Sequence, residues 1–206
     1  MDPTIALEPV RAFAAPPHLD DAAELLAAAP LHAIAYAFTS TSYVLGAEED
    51  ARLKARLEQR TRGIPVVITC VAAVLALRAL GARRLALIDP PWFSAELNQL
   101  GARCFESQGL DVVHAAPAGL PSGQDLVHPD LLHAGARAHV PPEADAVFVG
   151  GNGLRAIAAV SALEQDLRRP VLTANQVAFW LALRLSAARA SITGYGRIFD
   201  LDPPSD

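Results

Sequence analysis

The chain has 206 residues, enough for one large domain or two small lobes with a real hydrophobic core. It is 52% hydrophobic and carries a formal net charge of -5, which excludes a disordered chain and argues against a nucleic-acid surface, since phosphate binding needs a clustered positive face. No apolar run reaches the ~18 residues that a membrane-crossing helix needs, and the opening MDPTIALEPV has neither a basic nor an apolar leader region. Two cysteines, Cys70 and Cys104, are too few for a disulfide framework and wrongly spaced for zinc. A reducing cytoplasm is therefore the expected setting.

Short apolar runs alternate with longer helical patterns, the signature of an α/β protein with a mostly parallel sheet. In chain order, the patterns predict a strand at Ile5–Val10, a helix at Leu19–Ala28, a strand at Ala33–Ala37 and a helix at Asp50–Thr61. A strand at Pro65–Thr69, a helix at Val71–Leu80, a strand at Arg84–Ile88 and a helix at Ser94–Gln108 follow. The remainder reads as a strand at Asp111–His114, a helix at Pro129–Ala138, a strand at Ala146–Val149 and a helix at Leu154–Leu167. The last three elements are a strand at Pro170–Thr173, a helix at Gln176–Ala187 and a strand at Ser191–Gly194. The strands from Pro65 and Pro170 lack polar alternation, as expected of strands covered on both faces. The one long surface excursion is Pro117–Pro129.

An internal repeat organises these elements. LEQRTRGIPVVITCVAAVLALRALGARR (57–84) matches LEQDLRRPVLTANQVAFWLALRLSAAR (163–189), at offsets of 105 or 106 residues. An apolar strand precedes each copy, AIAYAF at 33–38 and AVFVGG at 146–151. Duplicated α/β units commonly face each other across a cleft, with ligands bound where the strand C-termini open toward it. The repeat thus nominates four loops: Phe38–Tyr43, Gly150–Gly153, Cys70–Ala72 and Ala174–Gln176.

The first loop, FTSTSY, offers four hydroxyls at Thr39, Ser40, Thr41 and Ser42. They could grip a carboxylate together with free backbone N–H groups, or simply cap a helix. The loop VGGNG (149–153) is not a dinucleotide fingerprint and no Walker Gly-Lys-Ser follows it. Asp89 ends the strand LALID where a ribose-binding acid would sit, but the loops lack the glycines of a nicotinamide or ATP site. Cys70, at the start of a helix, would have its thiolate favoured by the helix dipole, or would serve as a small apolar core residue. The spacing of His128 and His133 builds no metal site, and no Ser-His-Asp set or G-x-S-x-G can be assembled. No cofactor and no metal are expected.

The segments AIAYAFTSTS, RGIPVV, ALRALGARRLALIDP, VFVGGNGLRAI, LEQDLRRPVLTANQVAFW and ITGYGRIF together resemble the maleate isomerase and arylmalonate decarboxylase branch of the aspartate/glutamate racemase superfamily. The resemblance runs from about Leu19 to Phe199 and is strongest in RPVLTANQVAFW. It implies two pseudo-symmetric, Rossmann-like α/β lobes with mostly parallel sheets and a small carboxylate in the cleft between them. It also implies cofactor-free isomerisation, racemisation or decarboxylation at the carbon next to a carboxylate. Relatives normally use cysteines at the strand ends. Here Phe38 stands at the first such position and Gly151 at the second, while Thr39 and Ser40 match the carboxylate-gripping pair. A tyrosine of the relatives is replaced within DPPWF, by Trp92 or Phe93. The first strand of the relatives, with a loop that closes one side of the pocket, is expected to be missing before Met1.

The resulting reading divides the chain into a first lobe at 1–82, lacking its first strand, and a second at 83–206, whose last segment packs back on the first. Its function is a cofactor-independent isomerase, racemase or decarboxylase acting on a small carboxylic or dicarboxylic acid. The alternative is a catalytically inert acid-binding protein or sensor on the same scaffold. Cys70 is the candidate acid/base, and Thr39, Ser40, Tyr43, Trp92, Gly151, Asn152, Gly153 and Asn175 are the candidate substrate-binding residues. The expected partner is a small carboxylate, with no nucleic acid and no membrane. Self-association into a homo-oligomer is a further expectation.

Overall fold

The structure is a computed structural model that describes residues 5–186 and 192–202. It begins with two short helices, α1 (Leu7–Ala14) and α2 (His18–Leu26). The first sheet follows, in which β1 (Ile34–Tyr36) pairs in parallel with β2 (Val66–Ile68), Ile34 opposite Val66. Two helices accompany it, α3 (Thr39–Arg60) between the strands and α4 (Thr69–Ala79) after them.

The second sheet has four parallel strands in the order β4-β3-β5-β6. They are β3 (Arg84–Ile88), β4 (Asp111–Ala116), β5 (Ala146–Val149) and β6 (Val171–Thr173). Its helices are α5 (Ala95–Glu106), α6 (Pro129–His139), α7 (Val160–Leu167) and α8 (Ala174–Leu185), with short 3-10 turns at Ile157–Ala159 and Arg197–Asp200. The fold is thus two α/β lobes built on parallel sheets.

The ends of these helices follow from local chemistry. Ser94 caps α5 through its hydroxyl, which accepts from Leu97 N at 3.1 Å. Pro129 opens α6, where its missing N–H is one of the helix's orphan donors anyway. Thr173 and Gln176 cap α8 reciprocally, each side chain bonding the other's backbone N–H. The α3 helix is broken at Gly46, whose φ of 78° and ψ of 170° only glycine adopts readily.

Three sequence expectations are corrected. Ile5–Val10 is no strand: Leu7 opens helix α1, and its apolar residues Leu7, Val10 and Ala14 recur at helical spacing, with Val10 and Ala14 buried. Pro9 sits in the first turn of that helix, where a proline costs no hydrogen bond. The proposed strand Ser191–Gly194 falls partly outside the described residues, and Ile192–Gly194 is irregular. Gly194 and Gly196 both take positive φ there, which breaks an extended ladder. The helix expected at Asp50–Thr61 begins eleven residues earlier, at Thr39, so the hydroxyl loop is itself helical.

The repeated Leu-Glu-Gln has the same local role in both lobes. Glu58 Oε1 accepts from the backbone N–H of Val66 at 3.0 Å, and Glu164 Oε1 accepts from Val171 N at 3.2 Å. Each glutamate thereby satisfies the first N–H of the strand that follows its helix. Arg62 and Arg168, one in each copy, both take a left-handed φ, of 58° and 54°.

One core cluster runs across both lobes, from Val67, Ala73 and Leu77 to Leu85, Phe148, Leu172 and Trp180. Helix α8 packs on α4 and reaches β1 and β2. The C-terminal segment is tied to α8 by Trp180 Nε1, which donates to Leu201 O at 2.8 Å, while Ile198 and Phe199 join the shared core. Among the described residues no helix is long and apolar enough to cross a membrane.

Candidate functional site

All four loops nominated by the repeat meet at the seam between the lobes. Thr39, at the start of α3, presents its backbone N–H and its hydroxyl to a single acceptor, the Oδ1 of Asn152, at 2.9 and 2.7 Å. Asn152 Nδ2 donates to Asn175 Oδ1 at 2.8 Å, and Asn175 Nδ2 returns a bond to Asn152 O at 3.0 Å. Beneath Thr39, the thiol of Cys70 points at the Thr39 carbonyl oxygen, 3.9 Å away. The order of the loops is Cys70, Thr39, Asn152, Asn175, from core to surface.

Two donors converging on one oxygen are what a carboxylate oxygen requires. In the resting arrangement a neutral carboxamide fills that position. Thr39 is 1% exposed, so this cradle is covered by its own chain. Ser40 is equally buried and its hydroxyl has no partner among the described residues, an unspent donor one residue along. The N–H groups of Gly151, Asn152 and Gly153 donate to no other backbone group among the described residues.

The glycines of this loop answer to close neighbours. A Cβ on Gly150 would lie 2.6 Å from Asp89 Oδ1 and 2.8 Å from the Tyr43 hydroxyl. On Gly151, whose φ is +76°, it would lie 2.2 Å from Pro90 Cγ, and on Gly153 2.8 Å from Gln124 Nε2. Pro90 thus fills the space that a side chain at Gly151 would need. Each glycine lets a neighbouring segment approach the backbone more closely than any side chain permits.

Other candidates lie elsewhere than expected. Tyr43 is a core residue, its ring against Phe93 and Phe105 and its hydroxyl donating to Asp89 Oδ1 at 3.0 Å. Trp92 is half-buried and packs against both principal core clusters, and its carbonyl accepts from Ile5 N at 3.3 Å. Cys70 is fully enclosed, and burial first, then the neighbouring Cys104 thiol, push its ionisation well above the ordinary thiol range. That environment opposes the helix-dipole argument for a ready thiolate.

Asp89, which the sequence offers only as a ribose-binding acid, is instead a buried carboxyl of the core. It directly follows β3 with 0% exposure, and burial raises its carboxyl from the ordinary 3.8 to about 8, against a lowering by the Tyr43 hydroxyl. Its Oδ2 has no hydrogen-bond partner among the described residues. A carboxyl in this state is a protonated acid at neutral pH. The signal was present in LALID: an acid that closes a wholly apolar, doubly covered strand has no route to solvent.

Two apolar cavities flank the cradle. One of about 740 Å³ lies between α1, α2 and β1, with Phe38, the residue before Thr39, in its wall. The other, of about 950 Å³, is bounded by Asn152, Asn175, Leu154, Ile157, Phe179 and Tyr195, among others. Polar donors at the seam with apolar volume on either side suit a small acid that carries a hydrocarbon body.

Comparison with known proteins agrees with this architecture. The arylmalonate decarboxylase of Bordetella bronchiseptica is 29% identical over 167 residues, which are 79% of this chain and 68% of that protein. A crystal structure of arylmalonate decarboxylase superimposes with a TM-score of 0.81 at 27% identity, covering 88% of this chain and 81% of the other. The maleate isomerase Iso of Pseudomonas putida S16 shares the fold, with a TM-score of 0.84 at 20% identity and coverage of 97% and 81%. The family model for arylmalonate decarboxylase matches residues 17–199, and the chain belongs to that family.

Proposed function

We propose that the protein is a cofactor-independent isomerase, racemase or decarboxylase that acts on a small carboxylic or dicarboxylic acid bound at the seam between the lobes. The observation that carries this reading is the convergence of Thr39 N–H and Thr39 Oγ1 on one acceptor position, at 2.9 and 2.7 Å. An aryl- or alkyl-substituted malonate is the favoured substrate class. One carboxylate would take the Thr39 donors, and the hydrocarbon body would enter an adjoining apolar cavity.

Reaction at the carbon beside a carboxylate develops negative charge that spreads onto the carboxylate oxygens. Fixed donors aimed at those oxygens stabilise the charge more as it grows, which lowers the barrier. Thr39 supplies two such donors. The amides of Gly151–Gly153 face the second end of the ligand in this reading, and the apolar cavities take its hydrocarbon body.

A proton must also be delivered to the carbon, and the buried Cys70 thiol, 3.9 Å from the Thr39 carbonyl oxygen, holds one at neutral pH. Gly151, at the position assigned to a reactive thiol in relatives, has none to give. The proton role is therefore assigned to Cys70 under Thr39.

The test is an NMR assay in D₂O with phenylmalonate, methylmalonate and maleate. Loss of carbon dioxide, isomerisation, or deuterium incorporation at the α-carbon is expected from the wild type. Thr39→Val should slow it by about two orders of magnitude, the scale of a lost oxyanion donor. A folded wild type that turns over none of these acids would overturn the enzymatic reading and leave an acid-binding protein. Full turnover by Thr39→Val would overturn the cradle.

A further inference from the structure

We propose that Asn152 is a built-in competitor: its carboxamide is a surrogate ligand that occupies the Thr39 cradle and that any bound acceptor must displace. This rests on the reading of the seam as a carboxylate site. Asn152 Oδ1 occupies both Thr39 donors at 2.7 and 2.9 Å, across a sequence separation of 113 residues. The side chain is held there by a reciprocal pair with Asn175, at 2.8 and 3.0 Å. With Thr39 only 1% exposed, no ligand oxygen reaches both donors while Asn152 stays in place.

A ligand must therefore compete with an acceptor that is already tethered. A neutral amide or ester offers the same kind of oxygen as Asn152 and also loses translational freedom on binding, so it does not win the exchange. A carboxylate makes charge-assisted bonds to the same donors, roughly twice as strong as neutral ones. It can displace the carboxamide, which has room to turn into the 950 Å³ cavity that Asn152 itself lines. The buried Ser40 hydroxyl, which has no partner among the described residues, is a further donor that Asn152 leaves unused. Asn152 thus lowers the affinity of every ligand by the same factor, so that only an acceptor with charge-assisted bonds still binds well.

The experiment compares phenylacetate with phenylacetamide, two ligands with the same hydrocarbon body, by calorimetry on the full chain. The wild type should bind the acid at least about tenfold more tightly than the amide. Asn152→Ala should bind both more tightly by a similar factor of about tenfold, with the ratio between acid and amide unchanged. Asn175→Ala, which only loosens the tether, should move both affinities in the same direction by less, and it carries the test if Asn152→Ala melts early. Unchanged or weaker binding in both variants overturns the proposal. If phenylacetate binding is then still abolished by Thr39→Val, the carboxylate site stands and only the surrogate role falls. If no form of the protein binds phenylacetate, both fall.

Discussion

Gly151 and Pro90 interlock: a Cβ on Gly151 would lie 2.2 Å from the Cγ of Pro90, just beyond the ends of the neighbouring strands β5 and β3. A proline ring cannot swing aside, and the φ of +76° at Gly151 is itself unfavourable for a side chain. Gly151→Ala should therefore cost about 3 kcal/mol, the sum of backbone strain and overpacking, measured by urea unfolding. Pro90→Gly in the same chain should recover the overpacking part. For the same reason, Gly151→Cys alone should not restore a usable thiol, whereas the double variant with Pro90→Gly should present one to iodoacetamide.

Asp89 makes a pH prediction with a definite sign. Its folded-state value of about 8 lies above the ordinary 3.8, so the folded protein keeps a proton that the unfolded chain has already released. Stability from this group is fully present below about pH 4 and is lost as pH rises through 8. Asp50, raised by burial to about 6, acts in the same sense but is spent by that pH. Between pH 6 and 8 the wild type should lose about 2 kcal/mol that Asp89→Asn does not lose, read from chemical denaturation at each pH. Parallel curves for the two proteins across that window would show that Asp89 ionises freely.

Tyr43 holds the Asp89 carboxyl and is itself held by helix α5. A Cβ at Gly101 would meet the Tyr43 ring at 2.6 to 2.9 Å. Gly101→Ala should cost about 2 kcal/mol by overpacking, although alanine is the better helix former. It should also displace the Tyr43 hydroxyl from Asp89, which a shift in the pH profile above would report.

Glu58 and Glu164 satisfy equivalent strand N–H groups in the two lobes. Glu58→Ala and Glu164→Ala should each cost about 1 to 2 kcal/mol, the cost of orphaning a backbone donor. Hydrogen exchange should accelerate at Val66 in the first variant and at Val171 in the second. Equal protection in variant and wild type would mean that the repeated Leu-Glu-Gln is not a strand-capping device.

Much of this was legible in the sequence. The strands PVVIT and PVLT are readable because doubly covered parallel strands need unbroken apolar runs, and the offset repeat alone brings the four loops together. Thr39, Asn152 and Asn175 are in mutual reach as that argument required. What stayed hidden depends on neighbours distant in sequence. The glycines at 150, 151 and 153 look like an open anion loop, yet Asp89, Pro90 and Gln124 stand against them. Cys70 looks like an activated thiol from its helix position, but its ionisation is governed by burial. Ile5–Val10 is too short for its period to separate strand from helix, and the packing of Val10 and Ala14 decides for the helix.

The central claim, that a small carboxylate binds on the Thr39 donors at the seam, is tested most directly by an amide NMR titration with phenylacetate. The account expects the Thr39, Ser40 and Asn152 backbone resonances and the Asn152 and Asn175 side-chain amides to move together with one affinity, and Thr39→Val to abolish those shifts. Saturable shifts confined to another face, with Thr39 and Asn152 unmoved, would contradict it.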